Sequence, residues 1–251
     1  MVTFSLTDKI ALITGASRGI GEDIALTLAS YGAHCILVSR KIDELERVVK
    51  LIQSNGGSAE AIACNMGDLA QIEFLMAQVK STHGRLDILV NNAAANPYFG
   101  PMLDAEEWAW EKTNQVNLKG PFFMTQLGAK LMKDTGGSIV NVSSVNGIRP
   151  AMMQGIYSIT KAALISMTLA FAKELAPYNI RVNALLPGMT ETKFSSAITE
   201  NKEVEKAVIS MIPLRRIAVP SEMSGAVLYL VSAASSYTTG SCITCDGGML
   251  A

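Results

Sequence analysis

A glycine-rich turn between a short apolar run and a helical pattern is the feature that most limits how this chain can fold. The run 9–14 has the length and apolar character of a buried strand. Glycines at positions 15, 19 and 21 follow at once, in a G-x-x-x-G-x-G spacing. Such glycines permit a tight turn and a close approach to a pyrophosphate at the positive N-terminus of the next helix. The spacing therefore predicts a dinucleotide-binding strand–turn–helix unit.

The rest of the chain alternates apolar runs with helical patterns. Strands are predicted at 10–14, 34–39, 59–63, 88–91, 138–143, 180–186 and 242–245. Helices are predicted at 21–31, 43–55, 69–83, 104–132, 155–176 and 221–232. Continuous apolar strands separated by helices are typical of a parallel sheet that is covered on both faces. We therefore predict a single α/β domain over residues 1–251, a Rossmann-like doubly wound parallel sheet of about seven strands with helices on both faces.

One polar segment, 189–213, interrupts this alternation just after a strand end. Ligands of open α/β sheets bind outside the carboxyl ends of the strands. We therefore predict that this insertion is a substrate lid.

A second signal lies in Tyr157 and Lys161, four residues apart, with Ser144 thirteen residues upstream of the tyrosine. Residues at i and i+4 share one face of a helix, which places an ammonium beside a phenol. A nearby positive charge favours the phenolate and lowers the phenol's pKa from its ordinary value of about 10. Ser144 closes a strand-like run and could hold the same oxygen as Tyr157. This set indicates proton transfer to or from an alcohol or carbonyl oxygen.

Several ordered motifs resemble the short-chain dehydrogenase/reductase family over nearly the whole chain, about 7–248. They are TGASRGIG (14–21), NNAA (91–94), Asn117, Ser144, YSITK (157–161) and PGMTET (187–192). The resemblance implies that Tyr157 is the general acid/base and that Lys161 lowers its pKa and binds the nicotinamide ribose. It also implies that Ser144 orients the substrate carbonyl and that Asn117 holds a water linking Lys161 to solvent.

The resemblance further implies a nicotinamide cofactor site. Its expected residues are Gly15, Ser17, Arg18, Gly19, Ile20, Gly21, Ser39, Arg40, Lys41, Asn65, Met66, Asn92, Ala93, Ala94, Tyr157, Lys161, Pro187, Gly188, Thr190 and Thr192. Asn65 stands where the family commonly has Asp, and its amide oxygen could still accept from the adenine amino group. Ala94 stands where Gly is usual, and alanine still leaves room for the cofactor.

Cations near the end of the second predicted strand bear on the choice of cofactor. An NAD site normally places Asp or Glu there, whereas this chain has Ser39, Arg40 and Lys41, with Arg18 in the glycine-rich turn. Arginine can grip a 2′-phosphate with two hydrogen bonds. We therefore predict NADP(H) in preference to NAD(H), the alternative being that Arg40 and Lys41 are ordinary solvated residues.

The segment 92–101, with 141–144 and Tyr157, resembles the NADPH-dependent carbonyl reductase/retinol dehydrogenase subgroup, most specifically in the run 96–100. That subgroup is tetrameric and reduces aromatic ketones, α-dicarbonyls and retinal. Residues expected to line an apolar, permissive pocket beside Ser144 are Tyr98, Phe99, Ile148, Met152, Met153, Met189 and Phe194. The expected reaction is reduction of apolar or aromatic ketones, dicarbonyls or aldehydes.

Three alternatives to this reaction stay open. A 3-oxoacyl-(acyl-carrier-protein) reductase carries the same motifs but needs cations near the site to dock an acidic carrier. Sugar or polyol oxidation is weakened by the scarcity of polar pocket candidates. A catalytically silent NADP(H)-binding regulator is disfavoured by the intact set of catalytic residues.

Composition restricts the partners. A net charge of −1 gives no reason to expect nucleic acid. No apolar run approaches the ~20 residues that span a bilayer, so we expect a cytoplasmic protein acting on a small molecule. Helical patterns 104–132 and 155–176 carry more apolar positions than one sheet-facing stripe requires, and we predict a homotetramer, with a second interface at 247–251. The excess positions are Trp108, Phe122, Phe123, Leu127, Leu164, Met167 and Phe171.

Cysteine and histidine give no sign of a metal site. Cys242 and Cys245 form C-x-x-C, but residues three apart on a strand point to opposite faces, so we expect buried thiols. We expect no disulfides. The two histidines, His34 and His83, are distant in sequence. We therefore predict no metal.

Overall fold

A computed structural model describes residues 2–193 and 202–251 of the chain. Seven parallel strands form one sheet in the order β3-β2-β1-β4-β5-β6-β7. The strands are β1 (Ile10–Thr14), β2 (His34–Ser39), β3 (Ser58–Ala63), β4 (Ile88–Asn91), β5 (Gly137–Val142), β6 (Ile180–Pro187) and β7 (Cys242–Cys245). The strand order reverses between β1 and β4, and ligands of open α/β sheets bind at such a switch point. The predicted fold class is confirmed.

Helices cover both faces of the sheet. The described α-helices are α1 (Gly19–Ser30), α2 (Ile42–Ser54), α3 (Leu69–His83), α4 (Glu107–Asn114), α5 (Gly120–Met132), α6 (Gly155–Leu175), α7 (Lys202–Ser210) and α8 (Ser221–Val231). The predicted strands agree with these bounds to within one residue at each end. The predicted helices agree to within two residues, with one exception.

The exception is the predicted helix 104–132. A 3₁₀ turn occupies Met102–Asp104, α4 begins only at Glu107, and a π-helical turn, Gln115–Lys119, separates α4 from α5. Pro121 lies in the first turn of α5. Proline has no N–H, so it cannot donate the α-helical bond to the carbonyl of Asn117, four residues earlier. π-Turns inside helices are frequent at functional sites.

The core forms two layers, one on each face of the sheet. Along β1, Ala11 and Ile13 pack with residues of α1, α2 and α8, whereas Leu12 packs with residues of α3 and α5. This alternation follows from the two-residue period of a strand. Burial on both faces explains why the central strands are apolar throughout.

One described segment, Gly155–Tyr178, is long and apolar enough to cross a membrane by length and composition, contrary to the sequence expectation. Half of that window is buried inside the fold, and its buried residues include Tyr157, Ser158 and Lys161. Core helices pass the same test of length and composition. We interpret the segment as the core helix that packs on β5 and β6.

The cysteines correct another expectation. Cys245 is half-buried but Cys242 is exposed, so the prediction of buried thiols is wrong for Cys242. The reason is that β7 is an edge strand with its alternate residues turned outward. All four cysteines are free thiols.

The predicted lid is described only in part. At its base, Thr190 pairs with Ala218 in a parallel bridge, and the Ala218 N–H donates to the Met189 carbonyl over 3.1 Å. Helix α7 and buried Ile212 belong to its second half. Phe194 lies outside the described residues. The lid therefore stays a prediction.

Candidate active site

The glycine-rich turn leads directly from β1 into α1. Gly15 and Gly19 have φ of +67° and +59°, which side-chain-bearing residues rarely adopt. A Cβ on Gly21 would collide with the carbonyl oxygen of Gly15. The N-cap residue Arg18 makes no side-chain capping bond, so the first-turn N–H groups of α1 are left for a ligand. The turn therefore fits the pyrophosphate of a dinucleotide.

Asn92 holds this turn against the end of β4. Its Nδ2 donates to the carbonyls of Thr14 (2.9 Å) and Gly15 (3.2 Å). The Thr14 hydroxyl in return accepts from the N–H groups of Asn92 (2.9 Å) and Ala93 (3.0 Å). Asn92, predicted to bind cofactor, thus fixes the shape of the cofactor turn, with the half-buried Ala93 and Ala94 beside it.

Four residues converge near the carboxyl end of β2. The Glu44 carboxylate, in the first turn of α2, lies 3.3 Å from Lys41 Nζ and 4.0 Å from an Arg18 Nη1. Ser17 is also hydrogen-bonded to it. The Lys41 hydrogen bond is the largest of the contacts that lower the pKa of Glu44. Three predicted cofactor residues are therefore brought together around a carboxylate that the sequence reasoning missed, although its i+3 spacing from Lys41 was visible.

Arg40 differs from these neighbours. It directly follows β2 and is exposed, and within the described parts of the chain no ion pair includes it. Arg47, by contrast, binds both carboxylate oxygens of Glu22 over 2.9 and 2.7 Å and donates to the Ser17 carbonyl. Arg40 is thus an uncommitted cation at the rim of the cluster. The Ser39 hydroxyl beside it donates to the Lys41 carbonyl over 3.3 Å.

At the predicted adenine end, Asn65 and Met66 follow β3. The Asn65 Oδ1 accepts from the Gly67 N–H (3.1 Å), which uses one of its two lone pairs. The Met66 side chain is buried in the core, so it offers a cofactor only its backbone. Gly120 packs so closely on this backbone that a Cβ there would collide with the Met66 carbonyl.

The three catalytic candidates meet beyond the carboxyl end of β5. Ser144 caps the 3₁₀ turn Val145–Gly147 and accepts from the Asn146 N–H (3.1 Å). Tyr157 and Lys161 lie on the first two turns of α6, and Tyr157 is hydrogen-bonded to Ser144. All three side chains are buried. The structure therefore brings together the predicted Ser–Tyr–Lys set.

The electrostatics of this set differ from the expectation. Burial raises the pKa of Tyr157 to about 12, against a smaller lowering by its bond to Ser144. Burial lowers the pKa of Lys161 to about 7. The Lys161 ammonium donates to the Val142 carbonyl (2.8 Å) and lies 5.5 Å from the centroid of the Tyr157 ring. The two residues do share a helix face, but the predicted lowering of the tyrosine pKa is wrong here because desolvation by burial outweighs the hydrogen bond with Ser144.

Asn117 lies in the π-turn and is completely buried. Its Oδ1 accepts from the Ala95 N–H (2.7 Å), and its Nδ2 donates to the Ala95 carbonyl (2.9 Å) and the Thr160 hydroxyl (3.2 Å). Asn117 thus ties the loop after β4 to α6, next to Lys161. The predicted water link stays a prediction.

The segment after β6 lies against the glycine-rich turn. The Gly188 N–H donates to the Cys245 carbonyl (2.9 Å), and a Cβ on Gly188 would collide with the Asp246 backbone. The Thr190 hydroxyl donates to the Gly188 carbonyl (3.1 Å). The Thr192 methyl lies against Gly19. The 187–192 segment, which carries four of the expected cofactor residues, therefore lies over the glycine-rich turn, and its backbone is fixed from two sides.

The described substrate candidates form an exposed wall near α6. Phe99 and Met153 are 48% and 40% exposed, and Met152 is 89% exposed. The Gly100 N–H donates to the Met153 carbonyl (2.9 Å), which joins the two loops that carry them. Tyr98 instead turns its hydroxyl to the Pro101 carbonyl (2.6 Å). This residue braces its own loop.

A polar trio beside the catalytic set was missed. Gln154 Oε1 accepts from Asn96 Nδ2 (3.4 Å) and Asn146 Nδ2 (3.3 Å). Asn146 is two residues from Ser144, and Gln154 is three residues before Tyr157. These short distances in sequence from Ser144 and Tyr157 were the signal that could have predicted the position of Asn146 and Gln154. These amides are additional polar candidates for the pocket, and the expectation that such candidates are scarce stays a prediction.

The comparisons with known proteins agree with this geometry. A family model described as Enoyl-(Acyl carrier protein) reductase matches residues 15–250. Dehydrogenase/reductase SDR family member 4 of Oryctolagus cuniculus is 39% identical over 244 residues, covering 97% of this chain and 94% of that protein. The chain belongs to the short-chain dehydrogenase/reductase family.

Two further relatives show how widely the family ranges. The 3-oxoacyl-[acyl-carrier-protein] reductase of Thermotoga maritima is 39% identical over 246 residues, covering 98% of this chain and 99% of that protein. The solved structure of a gluconate 5-dehydrogenase from Burkholderia cenocepacia J2315, in complex with NADP and tartrate, has a TM-score of 0.94 at 30% identity. The match covers 98% of this chain and 97% of the chain in that structure. Family membership makes the chain an oxidoreductase and leaves its substrate open.

Proposed function

We propose that this short-chain dehydrogenase/reductase uses NADP(H) to reduce the carbonyl group of apolar or aromatic ketones, α-dicarbonyls or aldehydes. The observation that carries the proposal is the buried, hydrogen-bonded pair of Ser144 and Tyr157, with Lys161 on the next turn of α6. Two hydroxyls that meet in this way can both bind one substrate oxygen. When bound, the nicotinamide supplies the hydride.

The charge state of Tyr157 favours the reductive direction. Because burial raises the pKa of its phenol to about 12, Tyr157 holds its proton at neutral pH and can donate it to an oxygen that is becoming an alkoxide. Lys161 Nζ is within reach of the same pocket and, when protonated, would stabilise the phenolate that remains. Ser144 would hold the carbonyl oxygen in line with that proton.

The preference for NADP(H) follows from the cations around the carboxyl end of β2. Arg18 and Lys41 share Glu44, while Arg40 is uncommitted, so a 2′-phosphate would meet an excess of positive charge. Such a phosphate accepts charge-assisted hydrogen bonds from arginine. The related gluconate 5-dehydrogenase, which holds NADP, supports a nicotinamide cofactor of this kind.

The pocket wall suggests which carbonyl compounds fit. Phe99 and Met153 offer apolar surface, whereas Asn96 and Gln154, on the same two stretches of chain, offer amide groups together with Asn146. A substrate with one apolar end and a second polar group next to the reacting carbonyl would use both. An α-dicarbonyl with an aromatic substituent has this shape.

A second candidate, reduction of a 3-oxoacyl thioester, is favoured by the Thermotoga maritima relative, which matches along the full chain. A 3-oxoacyl group is also a dicarbonyl, so the polar trio does not exclude it. Docking of an acidic carrier needs clustered cations, whereas Lys133 at the end of α5 is followed directly by Asp134.

One panel assay tests the proposal. NADPH oxidation is measured with an aromatic α-dicarbonyl, a simple aromatic ketone, an acetoacetyl thioester and a keto sugar acid. We expect the aromatic α-dicarbonyl to have the highest kcat/KM. A higher kcat/KM with the thioester or the sugar acid would replace the proposed substrate class, and tight NADPH binding with no turnover would indicate a silent regulator.

We also propose that the chain is a homotetramer. Trp108 and Phe122 are 53% and 41% exposed on α4 and α5, and Leu169 is exposed on α6. Exposed apolar residues on neighbouring helices are typical of an interface between copies. Leu164, predicted to belong to the same surface, is instead buried in the core, because its side of α6 faces the sheet. Light scattering should give four times the 26.7 kDa monomer mass. A monomer would contradict the proposal, and a dimer would leave only one interface.

A further inference from the structure

The only two histidines of the chain meet near the amino ends of the strands, whereas the active site lies beyond their carboxyl ends. His34 is the first residue of β2, and His83 is the last residue of α3. The sequence reasoning set them apart because 49 residues separate them, but their ring centroids lie 5.2 Å from each other. Glu60, on β3, lies between them.

The three side chains converge on one point. His83 Nε2 lies 2.7 Å from Glu60 Oε1, and His34 Nε2 lies 3.8 Å from the same oxygen. One ligand atom from each residue falls within 4.8 Å of the other two. Ligands about 2.1 Å from a tetrahedral zinc ion lie about 3.4 Å from each other. The separations of 2.7 and 3.8 Å fall on either side of that spacing. Small side-chain rotations would therefore bring the ligand atoms to the distances of a zinc site.

The surroundings of His34 orient its ring for this role. Its Nδ1 is hydrogen-bonded to the Ser58 hydroxyl at 2.7 Å. Its Nε2 is buried and has no hydrogen-bond partner in the described parts of the chain. If Nδ1 carries the proton and donates it to Ser58, the Nε2 lone pair faces the carboxylate. Metal-binding histidines use their second nitrogen in this way.

The neighbouring cations do not neutralise Glu60. Lys9 and Arg85 line the same pocket, but each pairs with Asp87 over 3.2 Å. In the described parts of the chain, the ion pairs of Glu60 are with His34 and His83 alone. A carboxylate and two imidazole nitrogens that face one another are therefore left without a fixed positive charge between them.

We propose that His34, Glu60 and His83 bind a divalent transition metal, with zinc the best match to two imidazoles and one carboxylate. A water facing the pocket would complete the coordination. The ion would join β2, the edge strand β3 and the end of α3. It would stabilise this edge of the sheet without touching the catalytic residues, which lie beyond the opposite ends of the strands.

Zinc and cobalt(II) titrations of chelator-treated protein test the site. Because Cys242 and Cys245 could bind zinc themselves, all variants are made in a Cys242→Ser/Cys245→Ser background. We expect one equivalent per chain, a rise in Tm with zinc, and a cobalt spectrum of tetrahedral type without a thiolate charge-transfer band. NADPH turnover should be the same with and without metal, so this test is independent of the proposed function.

Substitutions locate the binding. His83→Ala and His34→Gln should abolish the stoichiometric binding and the zinc-dependent rise in Tm. Ser58→Ala should weaken binding about 10-fold to 100-fold, the usual effect of losing a partner of a metal-bound histidine. Glu73→Gln, an exposed acid on α3, is the matched control and should change nothing.

Three outcomes would overturn the proposal. They are one-equivalent binding that survives His83→Ala, binding that occurs only when Cys242 and Cys245 are present, and the absence of stoichiometric binding in the intact chain. A cooperative thermal transition of each variant without zinc shows that it has folded, so a loss of metal binding cannot be attributed to misfolding.

Discussion

The two ends of the proposed cofactor groove both carry cations, but these cations are buried at one end and exposed to solvent at the other. At the catalytic end, Lys161 is 2% exposed, and burial lowers the pKa of its ammonium to about 7. At the predicted ribose end, the side chains of Arg18 and Lys41 are 53% and 75% exposed and lie beside the Glu44 carboxylate. Burial therefore sets the charge state of Lys161 at one end, whereas at the other end water screens the ion pairs.

This difference predicts how strongly each end responds to substitution. A buried group that is already desolvated loses a large amount of free energy when its partner is removed. An exposed ion pair contributes little, because solvent replaces much of the lost attraction. Substitutions at the catalytic end should therefore have the largest effects, and single changes among the exposed ion pairs the smallest.

The largest effect is expected from Tyr157→Phe. Because the phenol donates the proton in the transition state, kcat should fall about 10²-fold to 10⁴-fold while the Kd for NADPH stays nearly unchanged. Steady-state kinetics and a fluorescence titration with NADPH measure the two quantities. Tyr178→Phe is the matched control, because that ring is exposed and packs on Lys133 outside the site. More than about a tenth of the wild-type kcat in Tyr157→Phe would exclude the acid–base role.

The next effect concerns the cofactor. Arg40→Asp replaces an uncommitted cation with a carboxylate that would repel a 2′-phosphate. The ratio of kcat/KM for NADPH to that for NADH should fall about 10-fold to 100-fold, from the 1.5–3 kcal/mol of a hydrogen bond to a charged group. Lys50→Asp makes the same charge change at the far end of α2 and should leave the ratio nearly constant. A wild-type enzyme that prefers NADH would contradict the phosphate interpretation of Arg18 and Arg40.

The sequence predicted the parts of the site that depend on short spacings. Gly15, Gly19 and Gly21 share one turn, and Tyr157 and Lys161 share one helix face, because these relations follow from local geometry. The pKa direction of Tyr157 could not be read in the same way. It depends on how deeply the packed sheet and α6 bury the phenol.

Tertiary contacts explain the remaining misses. Asn96 follows β4, whereas Asn146 and Gln154 lie in the connection between β5 and α6, and only the folded sheet brings Asn96 to the other two amides. His34 and His83 likewise meet because the strand order places β2 beside β3 and the end of α3. The break at Gln115–Lys119 did have a local signal in Pro121, which hydrophobic periodicity alone does not register.

The burial of Lys161 also predicts how the stability of the fold depends on pH. Between about pH 7 and the ordinary lysine pKa of 10.5, the unfolded chain binds a proton at Lys161 that the folded chain does not. Raising the pH through this window therefore stabilises the cofactor-free fold, by at most about 1.4 kcal/mol per pH unit. Tyr157 acts in the opposite direction between pH 10 and about 12, where the folded chain keeps a proton that the unfolded chain loses.

Urea unfolding at a series of pH values between 7 and 9 measures this slope. Lys161→Met should remove most of it, and the exposed Lys173→Met on the same helix should preserve it. Equal slopes in Lys161→Met and the wild type would mean that Lys161 stays charged in the fold, and the contrast between the two ends would disappear.

The smallest effect is expected at the exposed end. Glu44→Gln keeps the size of the side chain but removes the carboxylate that occupies Arg18 and Lys41. Both cations then become available to a phosphate, and the KM for NADPH should fall about two-fold to five-fold with kcat unchanged, since water screens an exposed ion pair. Glu46→Gln, an exposed acid on the same helix, is the control. A higher KM for NADH, with no change for NADPH, would instead assign Glu44 to the ribose hydroxyls of NAD, and the cations around it would then be ordinary surface charges.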